Sequence, residues 1–155
     1  MTTLHITLES GECRFAIDDH TVVVPFGRVT IASCIITDPP LPEELTNAIG
    51  LVFDHLEDVD RELPAVVAME HVTIAGDGID VMAAVEVGGQ AALPFPLSHE
   101  AAEDLFRTMA TEAVADRRCN PGLPDEWVQP IVGVCATVAA IVRYYRLDHI
   151  ELVAS

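Results

Sequence analysis

The sequence predicts a mixed α/β fold, a sheet of about five strands covered by helices, built as a single domain over residues 1–155. Three observations lead there. Residues 3 to 32 alternate polar and apolar side chains, the period of a half-buried strand. Later stretches place apolar residues at steps of three and four, the period of an amphipathic helix, and a β-branched run between them suits a strand buried on both faces. With 155 residues, half of them apolar, one core can be closed and little is left for a second.

The elements follow in order. Leu4, Ile6 and Leu8 alternate with Thr3, His5 and Thr7; Cys13, Phe15 and Ile17 alternate with Glu12, Arg14 and Ala16. Turn residues at Glu9-Ser10-Gly11 and Asp18-Asp19-His20 join three antiparallel strands by two hairpins. The third run, Thr21 to Ala32, holds Pro25 and Gly27, which predict a bend or bulge within one long strand. Thr37-Asp38-Pro39-Pro40 predicts a helix start with Asp38 as its cap, and Leu45, Ile49, Val52, Leu56, Val59 and Leu63 share one face of that helix. Pro64 stops it. Ala65 to Ala75 is the β-branched run, ending in the glycine turn Ala75-Gly76-Asp77-Gly78 and a short helical stretch, Ile79 to Val87. Gly88-Gly89, Pro94 and Pro96 predict a loop; Ser98 caps the next helix, whose buried stripe is Ala102, Leu105, Phe106 and Met109. After a loop over Ala115 to Pro124, Asp125 is expected to cap a long helix with Pro130 in or near its first turn. Val128, Ile131, Val132, Cys135, Val138, Val142 and Tyr145 mark one side of it, and His149 to Ala154 forms the last strand.

Charge narrows the partners. Asp and Glu number 25 against 8 basic residues, all of them Arg, for a net charge of −17. A surface of that sign repels phosphate backbones and anionic lipid, which demotes nucleic acid and membrane as partners. As a background trait it reads as solubility or salt adaptation. Met1 to Glu12 has no basic leader pattern and no apolar run approaches about 20 residues, so a cytoplasmic protein is expected. Cys13, Cys34, Cys119 and Cys135 form no CxxC and read as reduced small hydrophobes. Glu70-His71 and Asp148-His149 are neighbours in strands and point to opposite faces; Asp54-His55 and His99-Glu100 are neighbours in helices and share none. No residue is therefore singled out as catalytic or as a metal ligand. Trp127, Tyr144 and Tyr145 read as core or interface residues.

The order of elements resembles the ribonuclease-H-like lobe of actin, sugar kinases and heat-shock chaperones, and particular segments narrow the resemblance. Pro25-Phe26-Gly27-Arg28-Val29-Thr30-Ile31, with Thr37-Asp38-Pro39-Pro40 and Pro42-Glu43-Glu44-Leu45, is similar to the "PLGAVRL…DPPTPEEL" stretch of the exopolyphosphatase and guanosine pentaphosphate phosphatase (Ppx/GppA) family. Val72 to Ala84 resembles that family's "VGVAGTVTTLAA", and Ala115 to Glu126 its "AERRALPGLPPER". All three lie in the family's second lobe. The resemblance implies phosphoanhydride hydrolysis in a cleft between two lobes, with a metal ion and phosphate-binding glycine loops.

Against that pattern the departures are local and share one sign. The family's "DIGGGS" loop aligns with Thr7-Leu8-Glu9-Ser10-Gly11-Glu12. Thr7 replaces the metal-holding Asp, Glu9 and Ser10 replace two of three glycines, and only Gly11 remains. In the second loop Gly76 is kept, but Asp77 replaces a Thr hydroxyl next to Gly78. A carboxylate about 4 Å from a phosphate oxygen costs roughly 1–4 kcal/mol depending on screening. Glu9, Ser10, Gly11, Glu12, Gly76, Asp77 and Gly78 are thus expected to line a vestigial phosphate site, and no Arg matches a phosphate-loop position that would offset the acids. A catalytically degenerate binding or interaction module follows, working as a homodimer or with a separately encoded first lobe, and needing no cofactor. The alternatives are half of a split phosphatase, or a weak hydrolase of polyphosphate, guanosine pentaphosphate or nucleotide using Mg²⁺ held by acids such as Asp77.

Overall fold

A computed structural model describes residues 1–155. Alternation of apolar and polar residues builds β1 (Thr3–Leu8) and β2 (Cys13–Ile17), which send Leu4, Ile6, Leu8, Cys13, Phe15 and Ile17 to the same buried side. Strand β3 (His20–Val24) completes the meander. The long bent strand expected to run to Ala32 is not formed. Pro25 offers no N–H to a ladder, the chain leaves the sheet at Val24, and Arg28–Ala32 is a short helix, α1.

Helix α2 (Pro42–Glu62) starts four residues after the expected cap, with prolines tolerated at its entry. Asp38 instead accepts from the Val114 amide at 2.8 Å, and Glu44 closes the helix start. Its carboxylate accepts from the amides of Leu41 (2.9 Å), Ile36 (3.2 Å) and Thr37 (3.2 Å) and from the Thr37 hydroxyl (3.0 Å). These donors, the Leu41 amide first, hold the Glu44 carboxyl below the usual carboxylate range. The buried face of α2 is Glu44, Ala48, Val52, Leu56 and Val59, followed by Leu63; Leu45 and Ile49 sit at its margin.

Pro64 begins a 3₁₀ turn, Pro64–Ala68, so the β-branched run is only half strand: β4 is His71–Gly76. Helix α3 (Ile79–Val87) leads to β5 (Phe95–Ser98), a strand where a loop was expected. Four residues containing Pro96 carry little strand signal, and β5 exists because β6 (His149–Leu152) offers it an antiparallel partner. The Ser98 hydroxyl accepts from the Ala101 amide at 3.0 Å and caps α4 (His99–Thr111) as expected. A one-turn helix, α5 (Val114–Arg117), takes up the start of the predicted loop. Asp125–Trp127 is a 3₁₀ turn rather than a cap, and Pro130 is the first residue of α6 (Pro130–Tyr145).

Six strands lie in the order β3-β2-β1-β4-β6-β5, with β1, β4 and β6 parallel. One face of the sheet carries the apolar residues and the helices. The other presents Thr3, His5, Thr7, Thr73 and Glu151, partly or fully exposed. Helix α6 runs through the helical layer, and all its residues from Ile131 to Val142 are buried, not one stripe. A helix apolar on every side is stable only when enclosed, and α6 packs against its helical neighbours α1, α2, α3 and α4. No helix is long and apolar enough to cross a membrane.

Candidate functional site at the carboxyl edge of the sheet

Parallel strands end together. The carboxyl ends of β1, β4 and β6 lie along one edge of the sheet, where the strand-to-loop turns of such folds gather ligands. Two of those turns are Glu9 to Glu12 and Asp77-Gly78, so the fold brings both expected loops together.

Their contact is built by glycines. Gly76 has φ +111, and a Cβ there would stand 2.0 Å from the Leu8 carbonyl oxygen, so only glycine lets the two strand ends close up. The Asp77 amide then donates to that same Leu8 oxygen at 2.8 Å. Gly27, just before α1, would place a Cβ 2.4 Å from the Glu9 carbonyl oxygen. Behind it the first amides of α1, Arg28 and Val29, donate to the Glu9 and Ser10 carbonyls at 2.8 and 2.9 Å. The helix start thus satisfies its own unpaired donors on the β1–β2 turn. Glu9 donates its amide to Glu12 at 3.0 Å, which closes that turn on itself. The Glu9 and Asp77 amides are engaged by the protein's own carbonyls and do not face a ligand.

The side chains complete the picture and correct one expectation. Arg14, on β2, stands 3.9 Å from a Glu9 carboxylate oxygen and 3.6 Å from one of Glu12. Arg28 Nε donates to Asp77 Oδ2 at 3.4 Å, and its guanidinium lies 5.4 Å from the centre of the Trp127 ring. Each of these three acids therefore has an arginine within reach. Trp127 also covers the second turn, since a Cβ on Gly78 would be 2.8 Å from its ring. Beside Arg28 a cavity of about 190 Å³ is lined by Val29, Ala32, Ile35, Gln129 and Pro130. Arg14, Arg28 and Trp127 were not among the expected site residues. Arg14 could have been found from its place in the same hairpin, opposite Thr7 and two residues after Glu12. Arg28 could not, because residues 21–32 read as one strand in the sequence.

Other groups stay apart from this edge. Glu70 precedes β4, while His71 and His149 start their strands at the opposite end of the sheet. All four cysteines are free. Burial pushes the Cys13 thiol well up and that of Cys135 up to about 12, which leaves both poor nucleophiles. Tyr144 and Tyr145 donate to Asp60 at 2.7 and 3.1 Å and tie the end of α6 to the end of α2.

Comparison with known proteins places this geometry. No protein-family model matches the chain, and no curated protein sequence matches it. Solved structures do. An exopolyphosphatase-like protein superposes with a TM-score of 0.90 at 14% identity, over 99% of this chain and 55% of its own. The chain has the fold of one lobe of the Ppx/GppA phosphatases. The Ppx/GppA enzyme of Aquifex aeolicus matches with a TM-score of 0.86 at 14% identity, over 99% of this chain and 54% of its own. An exopolyphosphatase from Cytophaga hutchinsonii gives 0.75 at 12%, over 99% and 53%. The chain spans about half the length of these Ppx/GppA structures. The metal ion that the Ppx/GppA resemblance implies does not fit the residues at this edge. Thr7 stands where the metal-holding Asp is expected, Glu9 and Glu12 share Arg14, Asp77 is taken by Arg28, and no three candidate ligands converge.

Proposed function

We propose that this chain is an exopolyphosphatase-related lobe that has lost phosphate hydrolysis and works as a binding or interaction module. The observation that carries the reading is that both arginines at the phosphate-facing turns are paired with the turns' own carboxylates, and two of the turn amides with protein carbonyls. In a phosphoryl-transfer site, backbone amides and cations point outward to the oxygens of the substrate. Here the Glu9 and Asp77 amides are spent on protein carbonyls, and Arg14 and Arg28 on Glu9, Glu12 and Asp77. An arriving phosphate would have to displace a carboxylate from each arginine, against a chain of net charge −17. The test is phosphate release from polyphosphate, guanosine pentaphosphate and ATP with Mg²⁺ at high protein concentration. The expected result is no turnover above background; turnover above background would overturn the reading, and its loss in Arg28→Ala would assign it to this edge.

The extent of the match, 99% of this chain but about half of each neighbour, favours a second reading: that the lobe completes a cleft with a separately encoded first lobe. Activity that emerges only on adding that lobe would establish it. Failure of the two chains to associate would remove it.

A further inference from the structure

The two edges of the sheet are built differently. At one, β5 is four residues long, contains Pro96 and follows Pro94. Proline has no N–H to offer another strand, and short proline-bearing strands are one of the ordinary ways in which an edge is closed. At the other edge, β3 reads His-Thr-Val-Val-Val, with no proline, no lysine and no acid. Nothing in its sequence guards it.

Its unpaired groups can be named. Antiparallel ladders bond at alternate residues, and the two-residue turn Asp18-Asp19 makes Ile17 and His20 the first bonded pair. Phe15–Val22 and Cys13–Val24 are then bonded too, and Thr21 and Val23 turn their N–H and C=O groups away from β2. No hydrogen bond outside the ladders engages the backbone of residues 20–24. The Val23 side chain is 47% exposed on the open face.

Charge selects the occupant. Residues 20–37 contain no Asp or Glu, the longest such stretch outside residues 127–147, which hold the buried helix α6. In a chain of net charge −17, an acid-free strip is where two copies approach with least repulsion. The strip is also self-complementary. With a two-fold axis at Val22, Thr21 of one copy lies opposite Val23 of the other, both with backbone groups facing the partner, and no charged side chain meets its own kind across the strand pair.

We propose that β3 pairs antiparallel with β3 of a second copy, joining two sheets into one continuous sheet. The paired strip is short, so the dimer is weak, and salt strengthens it by screening the acids elsewhere on both copies. Sedimentation at about 0.5 mM chain, a concentration that reveals a Kd near 0.1 mM, is expected to show dimer in about 0.5 M salt and less of it at low salt. Hydrogen exchange at the Thr21 and Val23 amides should slow about threefold to fourfold between dilute and concentrated protein, the limit when a Kd near 0.1 mM leaves about a quarter of the chain monomeric. Val23→Pro and Thr21→Lys should both give monomer, with unchanged thermal melting of the monomer. Three results would overturn the proposal: a monomer at every concentration and salt, as when the edge serves a foreign protein; a dimer whose Thr21 and Val23 amides exchange as in the monomer; or a dimer that survives Val23→Pro. The inference does not depend on the phosphate-facing turns, so hydrolytic activity would remove the functional reading and leave this one standing.

Discussion

Arg28 and Arg117 both hold oxygen atoms, and the two regions they serve are built on opposite principles. At the carboxyl edge of the sheet, Arg28 and Asp77 have side chains 27% and 44% exposed, and Arg14 with Glu9 and Glu12 is more open still. Exposed pairs of that kind contribute about 0–1 kcal/mol each, because water screens them and two long side chains must be ordered. At the junction of α4, α5 and α6, Arg117 is 2% exposed and donates to the carbonyls of Met109, Glu112 and Val128 at 2.9, 2.7 and 2.8 Å. Burial lowers its pKa from the ordinary arginine value without removing its charge, and no carboxylate balances it directly; the carbonyls do. The same side chain thus sets the charge offered to a ligand in one place and fixes the path of the chain in the other. Burial decides which.

That contrast can be broken most forcefully at Arg117. Arg117→Ala leaves three carbonyls without their donor and is expected to cost about 3–5 kcal/mol in urea unfolding. Arg117→Lys should recover little, because an ammonium lacks the planar fork that reaches all three. A loss below about 1 kcal/mol in Arg117→Ala would mean that the junction is held by packing alone.

Glu44 lies between the extremes, and its effect depends on pH. Its carboxyl is held below the usual range by the Leu41, Ile36 and Thr37 donors, so the folded state favours the ionised form. The stability this adds is present above the unfolded glutamate pKa of about 4.3 and is lost as pH falls through the lower folded value. Glu44→Gln should therefore melt below the parent protein at neutral pH, and the gap should narrow as the pH falls below about 4. A gap independent of pH would assign the effect to packing.

Asp77→Thr is expected to be the mildest change for stability, within about 1 kcal/mol. It should nonetheless change what the edge can hold, since it frees Arg28 and removes one negative charge. Binding of tripolyphosphate, followed by calorimetry, should strengthen by about tenfold or more. Unchanged binding would show that the arginines are not what the acids hold back.

The sequence made the sheet legible where local pattern and tertiary fate agree. Leu4, Ile6 and Leu8, or Cys13, Phe15 and Ile17, are buried as their alternation requires, and Ser98 caps α4 as its position before an apolar stripe predicts. It misled where a neighbour in space decided. The segment after Pro25 looks like a continued strand, yet its first helical amides find the Glu9 and Ser10 carbonyls and α1 forms instead. Asp38 looks like a cap, but it is drawn to the Val114 amide, far along the chain. β5 has almost no strand signal and exists because β6 lies beside it. The seven expected loop residues do gather at one edge; what they lacked in the sequence was their counter-charges.

By itself, then, the sequence determined the period of each main element, the acidity of the two turns and the glycines that let them meet. These are properties of a residue and its near neighbours, so they survive without coordinates. Only the tertiary structure decided that Arg14 and Arg28 answer those acids, that Trp127 covers Gly78 and that β3 is left as an open edge. Each of these depends on distances across chain separations that no local pattern encodes, and a charge acts on what lies near it in space.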